Sequence, residues 1–242
     1  MCFDIATAVG NDLYKHLYKH QGQNRMTVED TIKEDIRSFL SGRQTLFFNE
    51  GDFQIQLSVF LMRSGNYKEV NVEYYVPFNQ LDGYLWKNEL YIDIVVRKDD
   101  EYVAVELKYP TKKIVDPISR FGEELPEVTL LKEHSAQDIV QYNFWKDVRR
   151  MELLKKRFPS VKKGLAVLLT NDMLYMKPRR KGVACEQFAT TEGMHNTSRH
   201  WNTHKKWMDK GYPDFDLDGE YAIEWQHCNL GRHEFIYCMI EV

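Results

Sequence analysis

The amino-acid sequence predicts an α/β fold in which a mixed central β-sheet is flanked by helices. Three observations carry this expectation. Apolar residues recur with the helical period of about 3.6 through residues 27–63, alternate through residues 70–109, and return to the helical period over residues 135–158. The run Gly164–Thr170 is almost continuously apolar and follows the longest helical stretch, so a crossover connection into a central strand is expected. Finally, 242 residues with 43% apolar and 29% charged side chains suffice for one large core.

Each element can be justified in turn. The opening residues hold a small duplication, Leu13-Tyr14-Lys15-His16 then Leu17-Tyr18-Lys19-His20, which reads as a short external helix. Thr27–Leu40 reads as a helix: Thr27 and Asp30 have capping-box spacing, Val28, Ile32, Ile36, Phe39 and Leu40 share one face, and Gly42 stops it. A second helix runs from Asn49 to Arg63, capped by Asn49, with Phe53, Leu57, Phe60 and Leu61 buried and Gly65 at its end. Val70, Val72 and Tyr74 alternate with Asn71 and Glu73 in a strand ending near Pro77. Tyr91–Arg97 and Tyr102–Tyr109 are two more strands around the polar turn at residues 98–101. Residues 111–134 contain Pro117, Gly122 and Pro126 and read as a long functional loop. Ser135–Phe158 is a helix with Val140, Phe144, Val148 and Met151 on its buried face. After the apolar strand at residues 164–170, residues 176–217 are irregular and polar, and Tyr221–Trp225 and Glu234–Val242 read as a closing hairpin. The chain is parsed as one domain over 1–242: an N-terminal helical region (1–48), a catalytic core (49–170), and a polar insert with closing strands (171–242).

Composition excludes several classes. Nothing approaches the roughly 18 apolar residues of a membrane span, and the N-terminus lacks the pattern of a secretory signal. Cys2, Cys185, Cys228 and Cys238 stand far apart without a C-x-x-C pair, so a reduced, cytoplasmic setting is expected. No phosphate-binding glycine loop and no dinucleotide fingerprint occurs. His200 and His204 have the spacing of helix-borne zinc ligands, but no Glu lies between them and no third ligand is suitably placed. The net charge of −3 hides a segregation: residues 144–181 carry 12 Lys/Arg against three acids, so the remainder is strongly acidic. Such a stretch forms either a positive groove or a solvated helix face.

The hairpin at residues 91–109 carries the chemistry. With its turn centred between Asp99 and Asp100, Ile92 faces Leu107, Ile94 faces Val105 and Val96 faces Val103, all on one side of the sheet. The same register sets Asp93 opposite Glu106 on the other side, with Lys108 two residues along. Like charges about 4 Å apart repel by about 4 kcal/mol at an effective dielectric near 20, so a compensating charge is needed. A hard divalent cation such as Mg²⁺ supplies it, and the Leu107 carbonyl offers a further oxygen. Carboxylates, a metal-bound water and an ammonium together suit phosphodiester hydrolysis.

Ile92-Asp93, twelve intervening residues, then Glu106-Leu107-Lys108 resembles the signature of the PD-(D/E)xK nuclease superfamily. The resemblance covers about residues 49–170 and implies a restriction-endonuclease-like core with a C-terminal extension, acting as a metal-dependent nuclease, with DNA ahead of RNA as substrate. It implies that Asp93 and Glu106 bind Mg²⁺ or Mn²⁺, that Lys108 acts near the attacking water and scissile phosphate, and that Glu50 adds a ligand at the start of the preceding helix. Asp138 and Tyr142, four apart on the long helix, resemble the Gln-x-x-x-Tyr motif of some members, with Asp in place of Gln.

Other residues follow from position. Glu73 alternates with the core residues of its strand and can join the acidic cluster. Tyr142 and Trp145 can stack on a base or ribose, although aromatics on a central helix more commonly pack. Lys112 and Lys113 follow the motif strand, and Arg149, Arg150, Lys177, Arg179 and Arg180 belong to the basic stretch; all are candidate phosphate contacts. The alternative reading is a catalytically inactive module that binds nucleic acid or protein, and a homodimer or larger complex stays open.

Overall fold

The computed structural model describes residues 27–242, so the duplication at residues 13–20 and Cys2 lie outside the described residues. Among the described residues three α-helices and twelve strands follow in chain order: α1 (Val28–Ser41), α2 (Glu50–Ser64), β1 (Glu69–Val76), β2 (Leu90–Lys98), β3 (Glu101–Lys108), β4 (Ile114–Arg120), β5 (Glu123–Leu131), α3 (Gln137–Arg157), β6 (Val161–Thr170), β7 (Gly193–His195), β8 (Ser198–Arg199), β9 (Phe215–Asp216), β10 (Tyr221–Ile223), β11 (Gln226–Leu230) and β12 (His233–Glu241). The central sheet has six strands in the order β1-β2-β3-β6-β12-β11. It is mixed, because β3 and β6 run parallel while their neighbours are antiparallel. No helix among the described residues is long and apolar enough to cross a membrane.

Local chemistry accounts for the elements. Thr27 caps α1 by accepting from the Asp30 amide, a cap of the kind that contributes about 1 kcal/mol. Asn49 caps α2 in the same way through the Asp52 amide, and Gly65 ends it at φ +72°. The sheet is covered on both faces. Against one face α1 and α2 pack Ile32, Ile36, Phe53, Leu57 and Leu61 onto Ile94, Val96, Val103, Val105 and Leu107. Against the other, α3 packs Phe144, Trp145, Val148 and Met151 onto Val95, Ala104, Ala166 and Leu168. The apolar run of β6 is buried from Gly164 to Thr170 because it faces both cores.

The structure corrects four expectations. Residues 111–134 are not a long loop: β4 and β5 form an antiparallel hairpin turning through Phe121 and Gly122, both at positive φ. Pro117 falls where the pairing shifts register, so the missing amide costs no regular ladder bond. The closing hairpin is β11 with β12, whereas Tyr221–Ile223 pairs with Gly193–His195. The segment after β6 is irregular yet not merely polar, for Phe188, Trp201, Met208, Phe215, Leu217 and Trp225 join the core over α3. Finally, Ile92 does not share a face with Ile94. It packs on the α3 side, with Val95.

That last difference has a local cause. Pairing of β1 with β2 runs from Glu69–Arg97 to Val76–Leu90 and skips only the Glu73/Asp93 step. Glu73 there is left-handed, at φ +48°, a region that side chains other than Asn or Gly enter at a cost. Both strands change face at this kink, so Val70 and Val76, of equal parity, also lie against different cores. The pairing of β2 with β3 stops at Ile94–Val105, and the two strands fork beyond it.

Candidate active site

The fork between β2 and β3 is where the carboxylates gather. Asp93 is not ladder-paired with Glu106; instead its Oδ2 accepts from the Leu107 amide at 2.6 Å, replacing a backbone bond across the fork. Gln54 on α2 donates from Nε2 both to the Asp93 carbonyl (2.8 Å) and to Glu73 Oε1 (2.8 Å), tying the kinked residues together. Glu73 is thereby linked to the site through Gln54, and its own carboxylate stays exposed. On β3, alternation turns Leu107 into the α2 core and leaves Glu106 and Lys108 on the α3 side with Ala104. Glu50, the first residue of α2, reaches the end of β3 and accepts from the Tyr109 amide at 2.8 Å.

The long helix supplies the residue that sequence reasoning missed. Asp147 is buried, and its Oδ2 lies 2.6 Å from Lys108 Nζ while Oδ1 lies 3.1 Å from the Arg150 guanidinium. Asn143, Lys146, Asp147 and Arg150 occupy the α3 stripe that borders the cleft. The signal was available: acid and base at these spacings adjoin the apolar stripe of Phe144, Val148 and Met151 rather than lying opposite it. Asp138 and Tyr142 belong to other surroundings. Asp138 is half-buried at the helix start and its Oδ1 accepts from the Ile139 amide. Tyr142 is fully enclosed, donating to the Pro213 carbonyl (2.9 Å) and accepting from Trp86 Nε1 (2.9 Å); Trp145 is equally buried. Both are packing residues here.

Electrostatics around the fork are strongly biased. Burial pushes Asp93 up to about 6, with Lys108 and the Leu107 amide opposing and Asp147 and Glu50 adding to the rise. Glu106 is only 3% exposed and is raised well above the usual carboxylate range, first by burial and then by Asp147 and Asp93. Burial alone would lower the Lys108 ammonium, yet the carboxylates of Asp147, Glu106, Glu50 and Asp93 outweigh it and raise its pKa. Lys108 also donates to the Leu107 carbonyl at 3.0 Å. Four carboxylates therefore face three cations, Lys108, Arg150 and Lys146.

Three buried polar atoms of the cluster make no hydrogen bond, Glu106 Oε1, Asp147 Oδ2 and Arg150 Nε; Asp147 Oδ2 has its ion pair with Lys108, which leaves Glu106 Oε1 as the acceptor with neither. A divalent cation held by oxygen ligands matches both this lone acceptor and the excess of negative charge. Among the described residues no three His, Cys, Asp or Glu side chains form a ready-made cage. The carboxylates are neighbours around the Lys108 ammonium, and the Leu107 carbonyl accepts from that same ammonium. His200 and His204 do not converge; each pairs with its own aspartate, Asp216 and Asp209.

In front of the fork lies a cleft of about 770 Å³ whose walls include Glu50, Lys108, Asn143, Lys146, Asp147 and Arg150. Burial, with Arg150 adding, lowers the Lys146 ammonium to about 8. The basic residues divide by position. Lys113, Lys177 and Arg180 are exposed; Lys112 is exposed with Asp172 3.6 Å from its ammonium. Arg149 is held by Glu152 and Asp218, Arg150 by Asp147, and Arg179 by Gln137 and Gln141. The segregated charge is thus partly consumed inside the fold. Comparison of the chain with protein-family models, curated proteins and solved structures found no match.

Proposed function

We propose that the protein is a metal-dependent nuclease that hydrolyses phosphodiester bonds in nucleic acid, with DNA ahead of RNA as substrate and Mg²⁺ or Mn²⁺ as its cofactor. The observation that carries this reading is the set of four carboxylates around Lys108 beneath a cleft, with a buried Glu106 oxygen left without a partner. Asp93, Glu106 and Glu50, with the Leu107 carbonyl, are the groups that would hold the cation, and Asp147 extends the same acidic shell. When bound, such a cation lowers the pKa of water and polarises a phosphoryl oxygen.

The chain's own residues have separable tasks. In hydrolysis the oxygen of water joins phosphorus, the bond from phosphorus to the leaving oxygen breaks, and the proton lost by the water is balanced by one that the leaving oxygen takes from solvent. Lys108 is kept protonated by its carboxylate neighbours, so it serves as a fixed positive charge beside the phosphoryl oxygens rather than as a base. Glu106 offers a buried oxygen without a hydrogen-bond partner as a ligand for the cation. Asp147 is a positioning residue that holds the Lys108 side chain and, through Oδ1, Arg150. A cytoplasmic setting belongs to the same proposal, as Cys185, Cys228 and Cys238 are free thiols.

The test is incubation of the pure protein with plasmid, linear duplex, single-stranded DNA and RNA, in Mg²⁺, Mn²⁺ or EDTA. Degradation in either metal and none in EDTA is the expected result. Retention of nucleic acid with no degradation under any condition would replace this reading with the binding module that does not cut.

A further inference from the structure

A second cleft, of about 1120 Å³, adjoins the first, and Asn143 and Lys146 line both. It is built largely by the segment after β6, which the chemistry at the fork does not use. Its walls are aromatic: Trp86, Trp201 and Tyr212, with Pro213 beside them. The polar edges of the two indoles are already engaged. Trp86 Nε1 donates to Tyr142 Oη at 2.9 Å and Trp201 Nε1 to the Tyr212 carbonyl at 3.0 Å. Trp86 and Trp201 are themselves buried, Trp86 under Lys146 and Arg150 and Trp201 stacked on Tyr142, so the ring surface left to a ligand is that of the half-buried Tyr212.

The polar groups that remain have a different character. The Asn88 and Asn143 side-chain amides line the cleft and make no hydrogen bond to other described residues, so each presents both a donor and an acceptor. Asp214 accepts from the Trp201 amide at 2.8 Å, and His204 is paired with Asp209. Lys146 stands between the two clefts, its ammonium 5.7 Å from the Trp86 ring centre, and makes no ion pair among the described residues. A flat aromatic ligand with mixed donors and acceptors on its edge, joined to an anion beside Lys146, matches this arrangement. A nucleotide has that form.

We propose that the second cleft is a nucleobase subsite, taking an unpaired base next to the phosphate bound at Lys108 and Lys146, so that single-stranded DNA is the substrate class. This rests on the nuclease reading and extends it. A base inside a duplex has both faces stacked and its pairing edge occupied, so it cannot enter this cleft and lie against Tyr212 without being unstacked. Stacking of one base on an aromatic side chain changes affinity by about tenfold or more.

The experiment measures binding of fluorescein-labelled DNA to the Glu106→Gln protein by anisotropy, alongside cutting by the wild type. The expected result is single-strand affinity about tenfold or more above that for a blunt duplex of the same sequence. An abasic site walked along the strand should weaken binding at one position, and Tyr212→Ala should weaken single-strand binding while abolishing that positional effect. The abasic series requires no change to the protein, so it decides the matter even if Tyr212→Ala folds poorly. Equal affinity for single strand and duplex, with no position sensitive to base removal, overturns the subsite but leaves metal-dependent cutting standing. Failure to bind or cut any nucleic acid overturns the nuclease reading and the subsite with it.

Discussion

The Lys108 ammonium lies 2.6 Å from the Asp147 carboxylate, an ion pair that joins the end of β3 to the middle of α3. Asp147 is 2% exposed, and removing one member of a buried pair leaves the other without compensation. Asp147→Ala should therefore destabilise the fold by about 3 kcal/mol, measured by urea denaturation. The double variant Lys108→Met/Asp147→Leu should recover only part of that loss, because Arg150 then lacks its partner and Asp93 and Glu106 their nearest cation, and should remain unable to cut DNA. Recovery of cutting along with stability would show that the pair is purely structural.

Metal affinity should depend on pH in a direction fixed by Asp93. Burial pushes this carboxyl up to about 6, with Lys108 opposing it. A carboxyl raised in the folded chain makes the folded state the stronger proton binder. Its contribution to stability is then full in acid and is lost as pH rises from about 4 to about 6. A cation competes for the same site, so Mg²⁺ affinity should climb as pH rises through about 6, with protons released on binding. Calorimetry in buffers of different ionisation enthalpy reads both effects. Affinity independent of pH would remove Asp93 from the ligand set.

The basic residues should separate into two groups by salt dependence. Lys113, Lys177 and Arg180 are exposed and make no ion pair among the described residues. If they contact phosphates, each change to Ala lowers the slope of log affinity against log salt by about one. Arg149→Ala should leave that slope unchanged and instead reduce stability, because its guanidinium bridges Glu152 and Asp218. Filter binding over a salt series, with thermal melts alongside, checks both.

A core prediction tests the packing of α3 on the sheet. A Cβ added at Gly164 would come within 2.6 Å of Met151 Cβ and Sδ. Gly164→Ala should therefore cost about 1–3 kcal/mol through overpacking. Met151→Ala should cost less in that background than alone, a non-additivity that a double-mutant cycle measures. Additive losses would mean that the two residues do not meet as described.

Much of the site was legible in the sequence, and what escaped has physical causes. Alternation along residues 91–109 gave the pairings Ile94–Val105 and Val96–Val103, which the sheet contains. Alternation assumes an uninterrupted ladder, however, and the left-handed Glu73 with the side-chain bond from Asp93 breaks it, sending Ile92 to the other core. Asp147 escaped although it adjoins the apolar stripe of α3, because that position marks it as close to the sheet without saying which strand end it meets. The hairpin β4–β5 escaped because Pro117 and Pro126 argue against strands unless they fall at irregular positions of the ladder. Likewise, the polarity of residues 176–217 hid widely spaced aromatics whose common core only the fold assembles.

Glu106→Gln offers the most direct test, because it keeps the side chain's shape while replacing a carboxylate oxygen by an amide. DNA degradation by wild type and variant, in Mg²⁺ and in EDTA, should show cutting only by the wild type with metal, while both proteins melt cooperatively. A folded Glu106→Gln protein that degrades DNA at the wild-type rate, or wild-type cutting undiminished by EDTA, would contradict metal-dependent hydrolysis at the β2–β3 fork.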